Sequence, residues 1–206
     1  MTTATRPDAR SGLRGPDKFA ARRRELATAT LVTLAELGYA RTSLREIAQN
    51  SAFSHGVLHY YFRDKLDLVA EAVRIFEDMC VTRYDEAVAT STTAEQLRHE
   101  FSTMFVATLR SDSALHRLWY DLRNQTRYEA SLRDEVSEIE SRRTDMIWKV
   151  VSRYCELRGE PARVSRHLVY LTLDGIFQQG LDRLLDGSDP ELTHARALLD
   201  EAFDAI

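Results

Sequence analysis

Proline and glycine are scarce in this chain of 206 residues, at 4 and 8. Proline removes a helix N–H and clashes with the preceding turn, and glycine adds backbone entropy. Their scarcity argues against a loop-rich chain and for long helices. The two cysteines, Cys80 and Cys155, lie far apart without Cys-x-x-Cys or Cys/His spacing, which excludes a disulfide framework and a cysteine zinc site. They read as small buried hydrophobes in a reducing compartment. No apolar run reaches the ~18 residues of a membrane span, and the N-terminus lacks an apolar signal core. A cytoplasmic protein without a membrane partner is expected. Also missing are a G-x-S-x-G elbow, an H-E-x-x-H helix, a P-loop and a Rossmann glycine run, and the all-helical pattern offers no strands to carry such sites. Neither an enzyme nor a bound cofactor is expected. His55 and His59 are four apart but have no third ligand, so no metal site is expected.

What is present is ordinary for a globular protein: 44% hydrophobic and 29% charged residues. The net charge of −4 speaks against nucleic acid until its distribution is read. Residues 1–65 carry 11 Lys and Arg against 6 Asp and Glu, and the remainder 17 against 26. A basic N-terminal end therefore precedes an acidic body, as expected if the first part approaches phosphates.

That basic end contains a helix-turn-helix pattern between Thr42 and Lys65. Ser43 and Glu46 form a capping box, in which each side chain satisfies an orphan backbone N–H at the helix start. Leu44, Ile47 and Ala48 follow at helical spacing. Ser51 to Phe53 is too short for more than a turn, and Ser54 is a second N-cap. On the helix that follows, Leu58 and Phe62 face inward, leaving His55, Val57, His59 and Tyr61 outside. A major groove admits one helix, whose N-terminal side chains reach the base edges; here those are Ser54, His55, Gly56 and Val57. Gly56 allows close backbone approach, Val57 offers an apolar contact for a thymine methyl, and His55 a hydrogen bond. Tyr61 and Lys65 are placed for phosphate. Tyr60 is expected in the core of this unit, and Arg63 in a solvated turn.

The run Leu58-His59-Tyr60-Tyr61-Phe62-Arg63-Asp64-Lys65 resembles the L-Y/H-x-Y-F-x-x-K hallmark of the TetR family of bacterial transcriptional regulators. With Ile47-Ala48 and a long preceding helix, the likeness covers residues of about 22 to 76. It implies that the Thr42–Ser43 region touches backbone phosphate and that Arg45 reaches a base edge, as it does in some members. His59 stands where the family often has tyrosine. Ala52 occupies a turn position where the family usually has glycine, so a differently shaped turn is expected.

Three divisions follow: a disordered basic tail at 1–16, a DNA-binding domain at 17–64, and a ligand-binding and dimerisation domain at 65–206. In the tail, Arg6, Arg10 and Arg14 read either as an arm along DNA or as a solvated end. The first helix is expected from Asp17 to Leu37, with Gly38 as its C-cap; Leu26, Ala29, Thr30, Thr33, Leu34 and Leu37 face the core, and Arg22, Arg23 and Arg24 the solvent. About nine helices are expected in all. Leu66, Val69, Ala72, Val73, Phe76, Met79, Cys80 and Tyr84 predict one long helix linking head to body. Arg143 lies on the apolar seam of a later helix and reads as an ion pair or as the counter-charge for an anionic ligand.

The helix from about 162 to 185 is apolar over too broad an arc for one packing face. It is expected to be buried in its own subunit and against a partner, with Gly175 and Gly180 allowing close approach. The family resemblance implies a homodimer through the helices at about 162–185 and 190–204. It further implies a palindromic double-stranded DNA operator and a small-molecule effector between the middle helices. The cavity candidates are Phe76, Met79, Tyr84, Phe101, Phe105, Trp119, Tyr120, Arg123, Trp148 and Phe177, each of which also reads as plain core. Aromatics near Trp119 could hold a cation through their ring faces, and the C-terminal region bears a distant resemblance to choline-responsive betaine repressors. The expected function is a repressor that releases its operator when the effector binds. An activator, or a ligand-binding dimer whose head no longer reads DNA, are the alternatives.

Overall fold

A computed structural model describes residues 15–40 and 42–206. Residues 1–14, with Arg6, Arg10 and Arg14 of the expected basic tail, and Arg41 lie outside the described residues. All regular structure among the described residues is helical: α1 (Gly15–Leu37), α2 (Leu44–Gln49), α3 (His55–Tyr61), α4 (Lys65–Cys80), α5 (Asp85–Thr90), α6 (Ala94–Ser111), α7 (Ser113–Gln125), α8 (Arg133–Arg158), α9 (Arg166–Leu185) and α10 (Thr193–Ala205). The all-α expectation holds, and no helix among the described residues is long and apolar enough to cross a membrane.

Local chemistry sets the boundaries. Gly38 and Gly159 take left-handed backbone at φ 76° and 71° and end α1 and α8. Ser165 starts α9 by accepting from the Leu168 N–H at 3.3 Å. Asp189 starts α10 by accepting from the backbone N–H of Thr193 and of His194, each at 3.0 Å.

The three N-terminal helices close around Leu26, Leu34, Ile47, Leu58 and Phe62, all essentially inaccessible to solvent. Two expectations for α1 change. Ala29 is exposed, whereas Ala27 and Leu31 are buried, because α1 also packs on α4 and α7. Arg23 is no solvated residue. It donates to Asp67 at 2.6 Å, to Glu71 at 3.3 Å and to the Tyr61 carbonyl at 2.9 Å, and lies 4.6 Å from the centre of the Phe62 ring. This clamp fastens α1 to the end of α3 and the first turns of α4.

The long linking helix expected through Tyr84 is divided at Val81–Tyr84, which raises the helix count by one. No proline or glycine marks the break. Val81 and Thr82 are adjacent β-branched residues of modest helix propensity, and Arg83 bends across to pair with Asp112 at 2.7 Å and to donate to Thr108. The bend turns Tyr84 inward, where its ring centre lies 4.6 Å from that of Phe101.

Ion pairs tie α4 to α8. Glu77, fully buried, accepts from Arg143 Nε at 2.9 Å; Asp78 accepts from Arg142 at 2.9 Å; Arg74 pairs with Glu135. Asp78 also accepts from Arg24 of α1 at 2.8 Å, and these two arginines hold its carboxyl below the usual range.

In α9, Gly180 is buried within its own subunit. A Cβ there would lie 3.0 Å from Leu109 Cδ1 and 3.3 Å from the Ala195 side chain, so this glycine admits α6 and α10 and not a partner. At Gly175 a Cβ would meet nothing within 4 Å.

The Glu77–Arg143 pair generates a stability prediction. Glu77→Ala leaves a buried guanidinium unpaired and should cost about 3–5 kcal/mol in chemical denaturation, whereas Glu77→Leu combined with Arg143→Met should recover most of that loss. Equal losses in both proteins would contradict the pairing.

Candidate nucleic-acid interface and internal cavity

The turn between α2 and α3 is built from short side chains. Ser43 Oγ accepts from the Glu46 N–H at 3.2 Å while Glu46 accepts from the Ser43 N–H at 2.7 Å, so the expected capping box is present. Asn50 closes α2 by donating from Nδ2 to the Glu46 carbonyl at 2.9 Å, and Thr33 of α1 donates to the Asn50 carbonyl at 3.0 Å. Ala52 needs no left-handed backbone: among the described residues Leu192 is the single non-glycine with positive φ. The turn therefore forms without the glycine the family usually places there.

Ser54, His55, Gly56, His59 and Tyr60 form an exposed surface along α3, with Val57 half-buried beside them and Ser43 and Arg45 exposed on α2. The His55 and His59 rings meet edge to face at 4.3 Å. A Cβ on Gly56 would touch nothing within 4 Å, so an approaching surface can reach the backbone there.

Three candidates differ from expectation. Thr42 is buried, and its hydroxyl donates to the Gly38 carbonyl, which occupies the group assigned to phosphate. Tyr60 and Tyr61 exchange places: Tyr60 is 72% exposed, and Tyr61 is half-buried with its ring centre 4.8 Å from that of Phe19. Phe19 on α1, distant from α3 in sequence, packs on Tyr61 and holds it inward. Lys65 is half-buried, donating to the Tyr39 carbonyl at 2.8 Å with its ammonium 3.9 Å from the Tyr39 ring centre. Burial lowers its pKa, against the raising effect of Glu46. The lysine thus anchors the α1–α2 connection to the start of α4.

A cavity of about 60 Å³ lies in the body between α4, α6, α7, α8 and α9. Of the ten candidates, Tyr84, Phe105, Tyr120 and Phe177 line it. Phe76, Phe101 and Trp119 are buried in the surrounding core, and Trp148 is half-buried against it. The ring face of Trp119, proposed for a cation, already carries the Arg143 guanidinium at 4.5 Å. Arg123 lies outside this lining and pairs with Glu140 and Asp174, each at 2.7 Å. Met79 is 58% exposed, because its neighbours Phe76 and Cys80 take the inward face of α4.

The lining also includes His116, Tyr170, Arg83, Arg143 and Asp174. Helical spacing held a signal for two of these. His116 precedes Trp119 and Tyr120 by three and four residues, and Tyr170 precedes Leu173, Asp174 and Phe177 by three, four and seven. Both nitrogens of His116 and the Tyr170 hydroxyl are buried without a hydrogen-bond partner among the described residues. The His116 ring packs 5.1 Å from the Phe76 ring centre and 4.5 Å from that of Phe177. Burial, with the positive charges of Arg143 and Arg83, holds its pKa well below 6.5.

The charged groups at the cavity are matched internally. Burial acts to lower the Arg143 pKa, but the charge and hydrogen bonds of Glu77 raise it on balance. Tyr120 donates to Asp174 at 3.0 Å, and burial next to that carboxylate raises the phenol's pKa. Burial pushes the Cys80 thiol up to about 12, which leaves it unreactive as a nucleophile. No group of three or more metal-ligating side chains occurs among the described residues.

A helix-turn-helix exposed on a three-helix head, joined by one helix to a body with a cavity, is the architecture of a helix-turn-helix DNA-binding protein. The family profile described as bacterial regulatory proteins, tetR family, matches residues 26–72. The HTH-type transcriptional repressor KstR2 of Mycolicibacterium smegmatis is 32% identical over 93 residues, 45% of each chain, so this chain aligns with less than half of that relative's length. The HTH-type transcriptional regulator BetI of Cronobacter sakazakii is 27% identical over 182 residues, 86% of each chain. In fold, the chain is similar to the transcriptional regulator FadR of Bacillus subtilis, solved in complex with stearoyl-CoA: TM-score 0.66, 17% identity, 88% of this chain and 98% of that one. Residues 26–72 therefore carry the tetR-family segment, and over most of its length the chain is similar to HTH-type transcriptional regulators.

The neutral state of His116 carries a pH dependence. Its folded pKa lies below the unfolded value of about 6.5, so the unfolded chain binds the proton that the fold refuses. The stability tied to neutral His116 is complete above pH 6.5 and is lost as pH falls below it, by on the order of 1 kcal/mol per pH unit. Denaturation at pH 7.5 and 5.5 should show this loss, and His116→Leu should flatten it. An unchanged slope in the variant would contradict the assignment.

Proposed function

We propose that two copies of the chain repress transcription by holding a palindromic double-stranded DNA operator and release it when a small-molecule effector enters the body cavity. The observation that carries this reading is that one helix serves both sites. α4 begins at Lys65, hydrogen-bonded to the head's Tyr39 carbonyl, and ends at Cys80 in the cavity wall. Arg23 clamps α1 to that helix through Asp67 and Glu71. A ligand that enlarges the cavity displaces the far end of α4, and the head moves with it.

In this reading each α3 enters a major groove, with half-sites about one helical turn, roughly 34 Å, apart. Ser54, His55, Gly56 and Val57 meet base edges, as does Arg45 from α2, while Ser43 and His59 lie toward phosphate, and Lys65 reaches it with the ammonium donors that its bond to the Tyr39 carbonyl leaves over. The exposed Tyr60 joins this surface. Thr42 acts from inside by shaping the connection between α1 and α2. Dimerisation through α9 and α10 is favoured by Leu168, Leu171 and Leu185, which are 51%, 59% and 49% exposed on α9. The open space above Gly175 lies on the same helix.

The test is fluorescence anisotropy with DNA from upstream of the chain's own gene against a scrambled fragment, at two salt concentrations. Tight, salt-dependent binding to the native fragment is expected, and equal weak binding to both would overturn the reading. Lys65→Ala should weaken all complexes and reduce the salt slope by about one, while changes at His55 or Val57 should alter sequence preference by about 1–3 kcal/mol per base pair. Weaker binding by Lys65→Ala at an unchanged slope would assign the lysine to holding Tyr39 and not to phosphate.

A second measurement addresses assembly. Leu171→Glu should convert a dimer to a monomer in sedimentation velocity; a dimer that persists would remove α9 from the interface.

A further inference from the structure

Three polar atoms at the cavity lack partners: Nδ1 and Nε2 of His116 and the hydroxyl of Tyr170. Buried polar groups are almost always hydrogen-bonded, so three such atoms in one lining point to a ligand that completes them. His116 is 5% exposed and Tyr170 7%. They lie on α7 and α9, on different walls of the cavity.

The charges in the same lining are already matched. Arg143 is held by Glu77, Arg83 by Asp112 at 2.7 Å, and Asp174 by Arg123 at 2.7 Å and Tyr120 at 3.0 Å. A charged ligand would have to displace one partner of such a pair and leave a buried charge behind. A cation would also face two arginines, and the Trp119 face is taken by Arg143. A neutral imidazole has one donor and one acceptor nitrogen, and a tyrosine hydroxyl does both, so together they suit an uncharged hydroxyl or carbonyl. The remaining wall is apolar, with Phe105, Ile147, Leu173 and Phe177. The space of about 60 Å³ holds about four water molecules, each of which needs about 10–15 Å³ on this measure. Met146, half-buried in the lining, has an unbranched side chain that can swing aside for a small guest.

We propose that this cavity takes a compact, uncharged molecule of phenol-like chemistry, an apolar ring or body with one hydroxyl or carbonyl that hydrogen-bonds to His116 and Tyr170. The inference rests on the effector reading above and names the ligand class for that same site.

The experiment is calorimetric titration of the full chain, without DNA, with four probes of similar size: p-cresol, toluene, benzoate and choline. p-Cresol should bind at least tenfold more tightly than toluene, with no measurable binding of benzoate or choline. His116→Leu should bring p-cresol and toluene within about twofold of each other. Tyr170→Phe, which removes a single hydroxyl, should narrow the gap and keeps the test open if the histidine variant does not fold. Tighter binding of benzoate or choline would overturn the ligand class while leaving effector control standing. Binding of none of the four would overturn the proposal in favour of a water-filled cavity. Addition of p-cresol to the DNA complex is read separately: binding without DNA release upholds the ligand class and contradicts the effector role.

Discussion

The buried ion pair between Glu77 and Arg143 is the interaction on which the arrangement of the body depends. Two charges removed from water are costly, and a hydrophobic pair of similar volume serves stability as well or better. What the pair supplies is register. Arg143 on α8 meets Glu77 on α4 at one position, and its guanidinium also covers the Trp119 ring of α7. Three helices are thereby fixed at one point, and that point borders the cavity. The outer pairs Asp78–Arg142 and Arg74–Glu135 extend the seam toward the head. An ionic seam of this kind has discrete partners and not a continuous slide, so α4 and α8 meet in a defined register.

The head is attached to the same helix with equal definition. Arg23 binds Asp67 and Glu71, Lys65 binds the Tyr39 carbonyl, and Arg24 shares Asp78 with Arg142. Motion of α4 therefore cannot leave the head behind without breaking part-buried hydrogen bonds. Coupling between two sites requires an element that both of them bias. Here α4 has one end in the head and the other in the cavity wall. The cavity, with its charges paired and its volume small, contains few groups on which a ligand can act: His116, Tyr170 and the aromatic wall. A guest larger than the present space shifts the equilibrium toward an enlarged cavity only to the extent that it binds that form more tightly.

The parts of the molecule legible in sequence are those whose cause is local. The capping box at Ser43 and Glu46, the N-cap at Ser54, the C-cap at Gly38 and the inward Leu58 and Phe62 each depend on residues a few positions apart. The helical class followed from periodicity together with the scarcity of breakers. The break at Val81–Tyr84 is not legible in sequence because its cause, the reach of Arg83 to Asp112, lies on another helix. Arg23 read as solvated because both of its carboxylates are on α4. Gly180 read as a partner contact because the helices it admits, α6 and α10, cannot be identified from α9 alone.

The same division separates the two sites. By itself the sequence determined an all-helical chain with a basic helix-turn-helix end, since caps, periodicity and charge distribution are properties of short segments. Tertiary structure decided which of many aromatic residues face the cavity, which tyrosine of the Tyr60–Tyr61 pair is exposed, and which carboxylate meets Arg143. A helical repeat states that a side chain is on the inner face but not what it meets there. Whether an inward residue becomes core or lining is set by the rotation of five helices about one another, and that rotation is fixed by contacts between residues far apart in the chain.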